Sequence, residues 1–234
     1  MKKTTLLNVG CISSIFFIFT IVLCQGSCCI EHPDFLNRQS STILLTGFGP
    51  FDIHDINPSE YIVRSLDGQE IEGYTIVSLI LPVDFNHSLQ MIVDAIEEYH
   101  PSIVVNFGLS ASASTIEVEY WALNLRTNSQ KTFPFSFPSR INKQAPFLQR
   151  ATLPVTSIVT TLQEHHIPVR LSYFAGLYVC NAVMFKTLHY LQEHQLPIKA
   201  GFVHVPLLSF QHPAGMELET MLTASYLIVK TSLP

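Results

Sequence analysis

A thiol, an imidazole and a carboxylate can together cleave an amide bond when a fold brings them within hydrogen-bond reach. This 234-residue chain offers candidates for all three. The stretch "FAGLYVCNAVMFKTLHYLQEH" leads from a short turn at Gly176 into an apolar helical pattern with Cys180 in its first turn. Unpaired amides at a helix start favour a thiolate and supply N–H groups for an oxyanion. A free cysteine also serves as a small buried hydrophobe, so the question turns on its partners. Cys11 and Cys24 lie in the apolar N-terminal segment and Cys28 and Cys29 at its end, leaving Cys180 as the single thiol of the body. A disulfide scaffold is excluded there, and no Cys/His cluster has metal-ligand spacing.

Of the ten histidines, His204 is the best base. It lies at the carboxyl end of the apolar run "KAGFVHVP", a strand that follows the Cys180 helix and is expected to emerge beside that helix's own strand. A satisfied core histidine is the competing reading. His100, His165, His166, His189 and His194 fall on apparent helix surfaces, and His54, His87 and His212 in turn-like segments. For the orienting acid, Glu117 and Glu119 share one face of an extended segment, although an exposed edge is the usual place for such residues.

The elements that must position these groups alternate. "TILLTGF", "YTIVSLIL", "SIVVNFG", "PVRLSY" and "KAGFVHVP" read as strands. Helices are expected at "NPSEYIVRSL", with Asn57 as N-cap and Pro58 at the first helical position, at "DFNHSLQMIVDAIEEYH", at "PVTSIVTTLQEHH", after Cys180, and from about 214 to 231. "IEVEYWALNL" is extended, and residues 126–152 are irregular and rich in Pro, Phe and Ser. This order predicts one layered α/β domain over 42–234, with helices on both faces of a mostly parallel twisted sheet. Ligands gather at the carboxyl ends of strands in such sheets, where the candidate residues cluster.

Residues 1–29 read as a separate device: Lys2 and Lys3, a nearly uncharged apolar run, then Gly26 and Ser27. That is the layout of a secretory signal peptide, while an apolar run of roughly 20 residues is also long enough for a retained membrane anchor. Both readings imply export or membrane contact. Residues 30–41 read as a polar linker. The net charge is −5, and the basic residues Arg64, Arg126, Arg140, Arg150, Arg170 and Lys186 form no stripe, which disfavours a nucleic-acid partner.

Four separated strings, "TGFGPF" (46–51), "NPS" (57–59), "SYFAGLYVCN" (172–181) and "GFVHVP" (201–206), together resemble the signatures of type I pyroglutamyl peptidases, a family of cysteine peptidases. The resemblance implies a three-layer α/β/α sandwich, a peptide substrate with N-terminal pyroglutamate, a tetramer, and neither cofactor nor metal. It implies Cys180 as nucleophile, His204 as general base and acid, and Glu119, in "VEYWALN", as the acid orienting it. Phe48, Phe51 and Asn57 match the substrate pocket, where apolar walls and a few placed hydrogen-bonding groups suit a flat neutral lactam; ordinary loop packing and N-capping also account for them. Three segments depart from the pattern. "DIHD" (52–55) replaces a Gly-Gly pair, "LSASAS" (109–114) replaces a Gln and a glycine-rich turn with an Arg, and Tyr120 replaces an Arg beside the acid. An alternative is therefore a catalytically weak relative that binds blocked peptide N-termini or acts as a scaffold.

Overall fold

The computed structural model describes residues 41–127 and 137–234. The signal-or-anchor segment, most of the linker and the four N-terminal cysteines lie outside them. Among the described residues, no helix is long and apolar enough to cross a membrane.

Chain order is β1 (Thr42–Phe48), α1 (Pro58–Leu66), β2 (Glu70–Ile71), β3 (Tyr74–Leu81), α2 (Phe85–Tyr99), β4 (Ile103–Leu109), β5 (Ile116–Glu119), β6 (Trp121–Leu123), β7 (Leu148–Arg150), α3 (Val155–Glu164), β8 (Val169–Ser172), α4 (Val179–Glu193), β9 (Lys199–Val205) and α5 (Leu218–Ser232). Seven strands form one sheet in the order β2-β3-β1-β4-β9-β5-β8, and β6 pairs with β7 separately. Parallel pairing joins β3, β1, β4 and β9, and also β5 to β8; β2 on β3 and β5 on β9 are antiparallel. α2 packs on α4, while α5 packs on α1 and α3. The expected α/β/α layering and mostly parallel sheet are thus present.

The central strands show why. β1 and β4 are apolar almost throughout and buried along their lengths, as strands covered by helices on both faces must be. α1 and α2 bury one stripe each and start on side-chain caps. Asn57 accepts from the Ser59 amide, and Asp84 accepts from the amides of Asn86 and His87. Close approach of α1 to β1 depends on Gly47, where a Cβ would lie 2.4 Å from the Ser59 carbonyl oxygen.

Several expectations need correcting. β9 does not emerge beside β8, because β5 lies between them. Glu117 and Glu119 are not exposed edge acids: both are buried on that inserted strand. His189 is not a surface residue either. Its side chain is 12% exposed, stacks on Phe185 at 5.7 Å and lies 3.1 Å from the Asn142 amide. The final helix starts at Leu218 rather than 214, and the irregular stretch contains the short strand β7.

Candidate active site

Cys180 is the second residue of α4. Gly176, at φ +77°, takes a left-handed conformation in the preceding turn, one that glycine adopts without steric cost. Tyr178 at the N-cap provides no capping side chain, so the first-turn amides are left for another acceptor. The sulfur lies over β4, with a Cβ built on Gly108 only 3.1 Å from Sγ and 2.7 Å from the Phe202 ring. Glycine at 108 therefore makes room for the Cys180 sulfur. Gly108→Ala is expected to displace the sulfur, lowering kcat/KM at least about tenfold and stability by about 1–3 kcal/mol; steady-state kinetics and thermal melts check both.

His204, near the end of β9, joins the sulfur to the sheet. Its Nδ1–H donates to Glu119 Oε1 at 2.8 Å, and its ring hydrogen-bonds with Cys180. Burial alone would push the imidazole pKa down; the Cys180 hydrogen bond and charge, followed by those of Glu119, outweigh it and raise the value to about 10. The three groups come from β5, α4 and β9 and form one relay. Glu119 is wholly buried, and its Oε2 has no hydrogen-bond partner. One carboxylate oxygen is thus committed to His204, while the other retains an unmet demand.

Adjacent side chains hold the relay's frame. Asn181, next to Cys180, accepts from the Leu123 amide at 2.8 Å and donates to the carbonyls of Leu123 (2.9 Å) and Leu125 (2.8 Å). It therefore ties the start of α4 to the chain just beyond Glu119. Its sequence signal was its place after the cysteine, but its partners lie 56 and 58 residues away. Arg170 on β8 donates to Glu117 through Nε at 3.0 Å and through Nη2. Local sequence does not reveal this pair, because its members meet only across the sheet.

The candidate pocket residues have different placements. Phe48 is buried with its ring centroid 6.4 Å from that of Phe202, which is itself 4.8 Å from the His204 ring. Phe51 is half-buried, 5.6 Å from the His54 ring. Asn57 is fully buried; its Nδ2 donates to the Gly49 carbonyl at 3.1 Å, and its Oδ1 accepts from the Ser59 amide and hydroxyl at 3.1 and 2.8 Å. Ser59 Oγ accepts from the Phe48 amide. Asn57 and Ser59 thereby hold the end of β1, with Phe48, to the loop that follows it and carries Phe51. In the departing "DIHD" segment, Asp52 takes φ +51°, a left-handed angle that Asp tolerates better than most residues, and Phe51 and His54 exchange backbone hydrogen bonds around it.

Glu117, Glu119 and His204 also place three ligand atoms within 4.8 Å of one another. A cation fits this arrangement poorly, because His204 Nδ1 is engaged by Glu119 and a guanidinium rests on Glu117. The arrangement suits proton transfer to and from a thiol.

A family model described as pyroglutamyl peptidase matches residues 41–226. The chain belongs to the pyroglutamyl peptidase family. Among its relatives, the pyrrolidone-carboxylate peptidase of Thermococcus litoralis is 37% identical over 82% of this chain and 92% of its own length. That of Klebsiella pneumoniae is 36% identical over 78% and 86%. The solved structure of the Thermococcus litoralis pyrrolidone carboxyl peptidase superposes with a TM-score of 0.77 at 36% identity, covering 82% of this chain and 92% of that one. The Bacillus amyloliquefaciens pyroglutamyl peptidase I does so with 0.76 at 27% identity, covering 82% and 96%. Membership in this pyroglutamyl peptidase family agrees with both the observed α/β layering and a cysteine-peptidase relay.

Proposed function

We propose that this family member is an exported or membrane-held thiol peptidase that removes N-terminal pyroglutamate from peptides, with Cys180, His204 and Glu119 as the catalytic residues. The observation that carries the reading is the chain of contacts from Glu119 through His204 to Cys180, built from three distant segments. The Sγ attacks the carbonyl carbon of the pyroglutamyl residue, and the carbonyl oxygen takes up the negative charge. The first-turn amides of α4, which no side chain caps, take up that charge in this reading. His204 delivers a proton to the departing amine as the C–N bond breaks, leaving a thioester. Water then attacks that thioester, His204 accepts its proton, and the sulfur leaves. Glu119 holds the imidazole in the tautomer this cycle needs and stabilises its cation.

Substrate selection follows from desolvation. A free α-amine or a charged γ-carboxylate loses hydration on entering an apolar site, whereas the neutral lactam avoids most of that cost. A pyroglutamyl amide is therefore expected to be cleaved at least about 100-fold faster than the corresponding glutamyl amide, as measured by kcat/KM with fluorogenic amides under reductant. Comparable rates for both would overturn the substrate assignment. Absence of turnover with retained binding of blocked peptides would instead favour the binding-protein reading suggested by Tyr120 and the 109–114 segment. Export is supported by Lys2, Lys3 and the apolar run that follows; N-terminal sequencing of the mature chain distinguishes cleavage from anchoring.

A further inference from the structure

Arg170, Glu117 and His204 occupy one register row across three adjacent strands: Glu117 is opposite Arg170 in the parallel β5–β8 pair and opposite His204 in the antiparallel β5–β9 pair. Glu119 lies two residues along β5 and therefore on the same face. The ligand atoms of Glu117, Glu119 and His204 fall within 4.8 Å of one another. Two buried carboxylates at that separation repel each other unless a positive charge compensates them. Compensation comes from β8, where Arg170 grips Glu117 Oε1 with two nitrogens. The guanidinium side chain is 63% exposed while the carboxylate it meets is 8% exposed, so the positive end is hydrated while the acid stays inside.

We propose that Glu117 and Arg170 form a charge-balancing positioning pair that keeps Glu119 free to serve His204 alone. The inference rests on the assignment of Glu119 and His204 to the relay. With Glu117 neutralised by its own cation, the relay faces a single net negative charge, and that charge is held by the carboxylate bonded to the imidazole. The charged and titratable groups around Glu117 are Glu119 on its own strand, His204 on β9 and Arg170 on β8. The Cys180 sulfur on α4 lies beyond His204. The Arg170 guanidinium is itself held more firmly protonated, first by its hydrogen bonds to Glu117, then by the charge of Glu117 and, more weakly, that of Glu119.

The test uses the full chain and two readouts across pH 5–9: alkylation of Cys180 by iodoacetamide, followed at its own peptide by mass spectrometry, and kcat/KM on a pyroglutamyl amide. Arg170→Gln leaves two uncompensated carboxylates, so the acid limb of both profiles moves up by about one pH unit and the rate at pH 6 falls about tenfold. Glu117→Gln frees a guanidinium that competes with His204 for Glu119 and moves the limb the other way. The double variant E117Q/R170Q restores the wild-type limb, and Arg170→Lys, which keeps the charge, leaves it in place. Opposite shifts that cancel are not produced by a purely structural pair. A lowered melting temperature with an unmoved limb, single variants shifting the same way, or a double variant that sums them would overturn the proposal. If Arg170→Gln does not fold, Glu117→Gln and the double variant carry the same comparison. A limb that responds in alkylation while wild type shows no turnover would sink the substrate assignment and leave this inference standing.

Discussion

Replacing Cys180 with serine abolishes turnover of a pyroglutamyl amide, reducing kcat by at least about 10⁴-fold. The expectation follows from how little else the substitution changes. The side chain sits over Gly108 with room for sulfur, and a hydroxyl is smaller, so α4 and its packing persist and the melting temperature shifts little. The chemistry changes instead. A hydroxyl is far less acidic than a thiol, and a helix start with an adjacent imidazole activates it much less readily. The loop proposed to bind substrate is untouched by the change, so the loss is expected in kcat while the affinity for a blocked peptide is preserved. Active-site titration with an alkylating agent checks the same point, since label at this position disappears. Turnover that survived at a tenth or more of the wild-type rate would show that another group attacks.

Glu119→Gln is expected to lower kcat by about 10³–10⁴-fold, the scale on which an orienting acid acts in comparable relays. The physical reason is tautomeric. The carboxylate only accepts hydrogen bonds, so it fixes the proton on His204 Nδ1 and leaves the other ring nitrogen facing Cys180. A carboxamide can turn its NH₂ toward Nδ1, and the ring then presents a proton where it should accept one. Stability responds with a definite sign. His204 has its folded-state pKa raised to about 10 from the ordinary 6.5 of an imidazole, so the stability linked to its proton is fully present below about pH 6.5 and is lost as pH rises through about 10. Removing the carboxylate removes part of that contribution. The melting-temperature deficit of Glu119→Gln against wild type should therefore be largest near pH 6 and narrow steadily toward pH 10. A deficit that widens over that interval would contradict the charge assignment of the imidazole.

The candidate site was legible in unequal parts. Cys180 announced itself through a glycine turn followed by an apolar helix, and His204 through the end of a strand, both local patterns that backbone geometry imposes directly. Phe48 and Asn57 were also named, but one observation recasts Asn57: its oxygen and amide are spent on Ser59 and Gly49, so it shapes the phenylalanine loop from within. Alternation puts Glu117 and Glu119 on one face and does not rank them; only the resemblance carried by "VEYWALN" pointed to Glu119, and nothing local showed that Glu117 meets an arginine.

The sequence by itself determined the alternating elements, the burial of the central strands, the caps of α1 and α2, and the cysteine and histidine, because each depends on periodicity or turn chemistry within a few residues. Only the tertiary structure decided that β5 enters the sheet antiparallel between β9 and β8. That placement buries two acids expected at an edge, gives Glu119 to His204 85 residues away, and gives Glu117 to Arg170 53 residues away. Strand order is settled by packing and by pairing between segments far apart in the chain, and no local pattern carries that information.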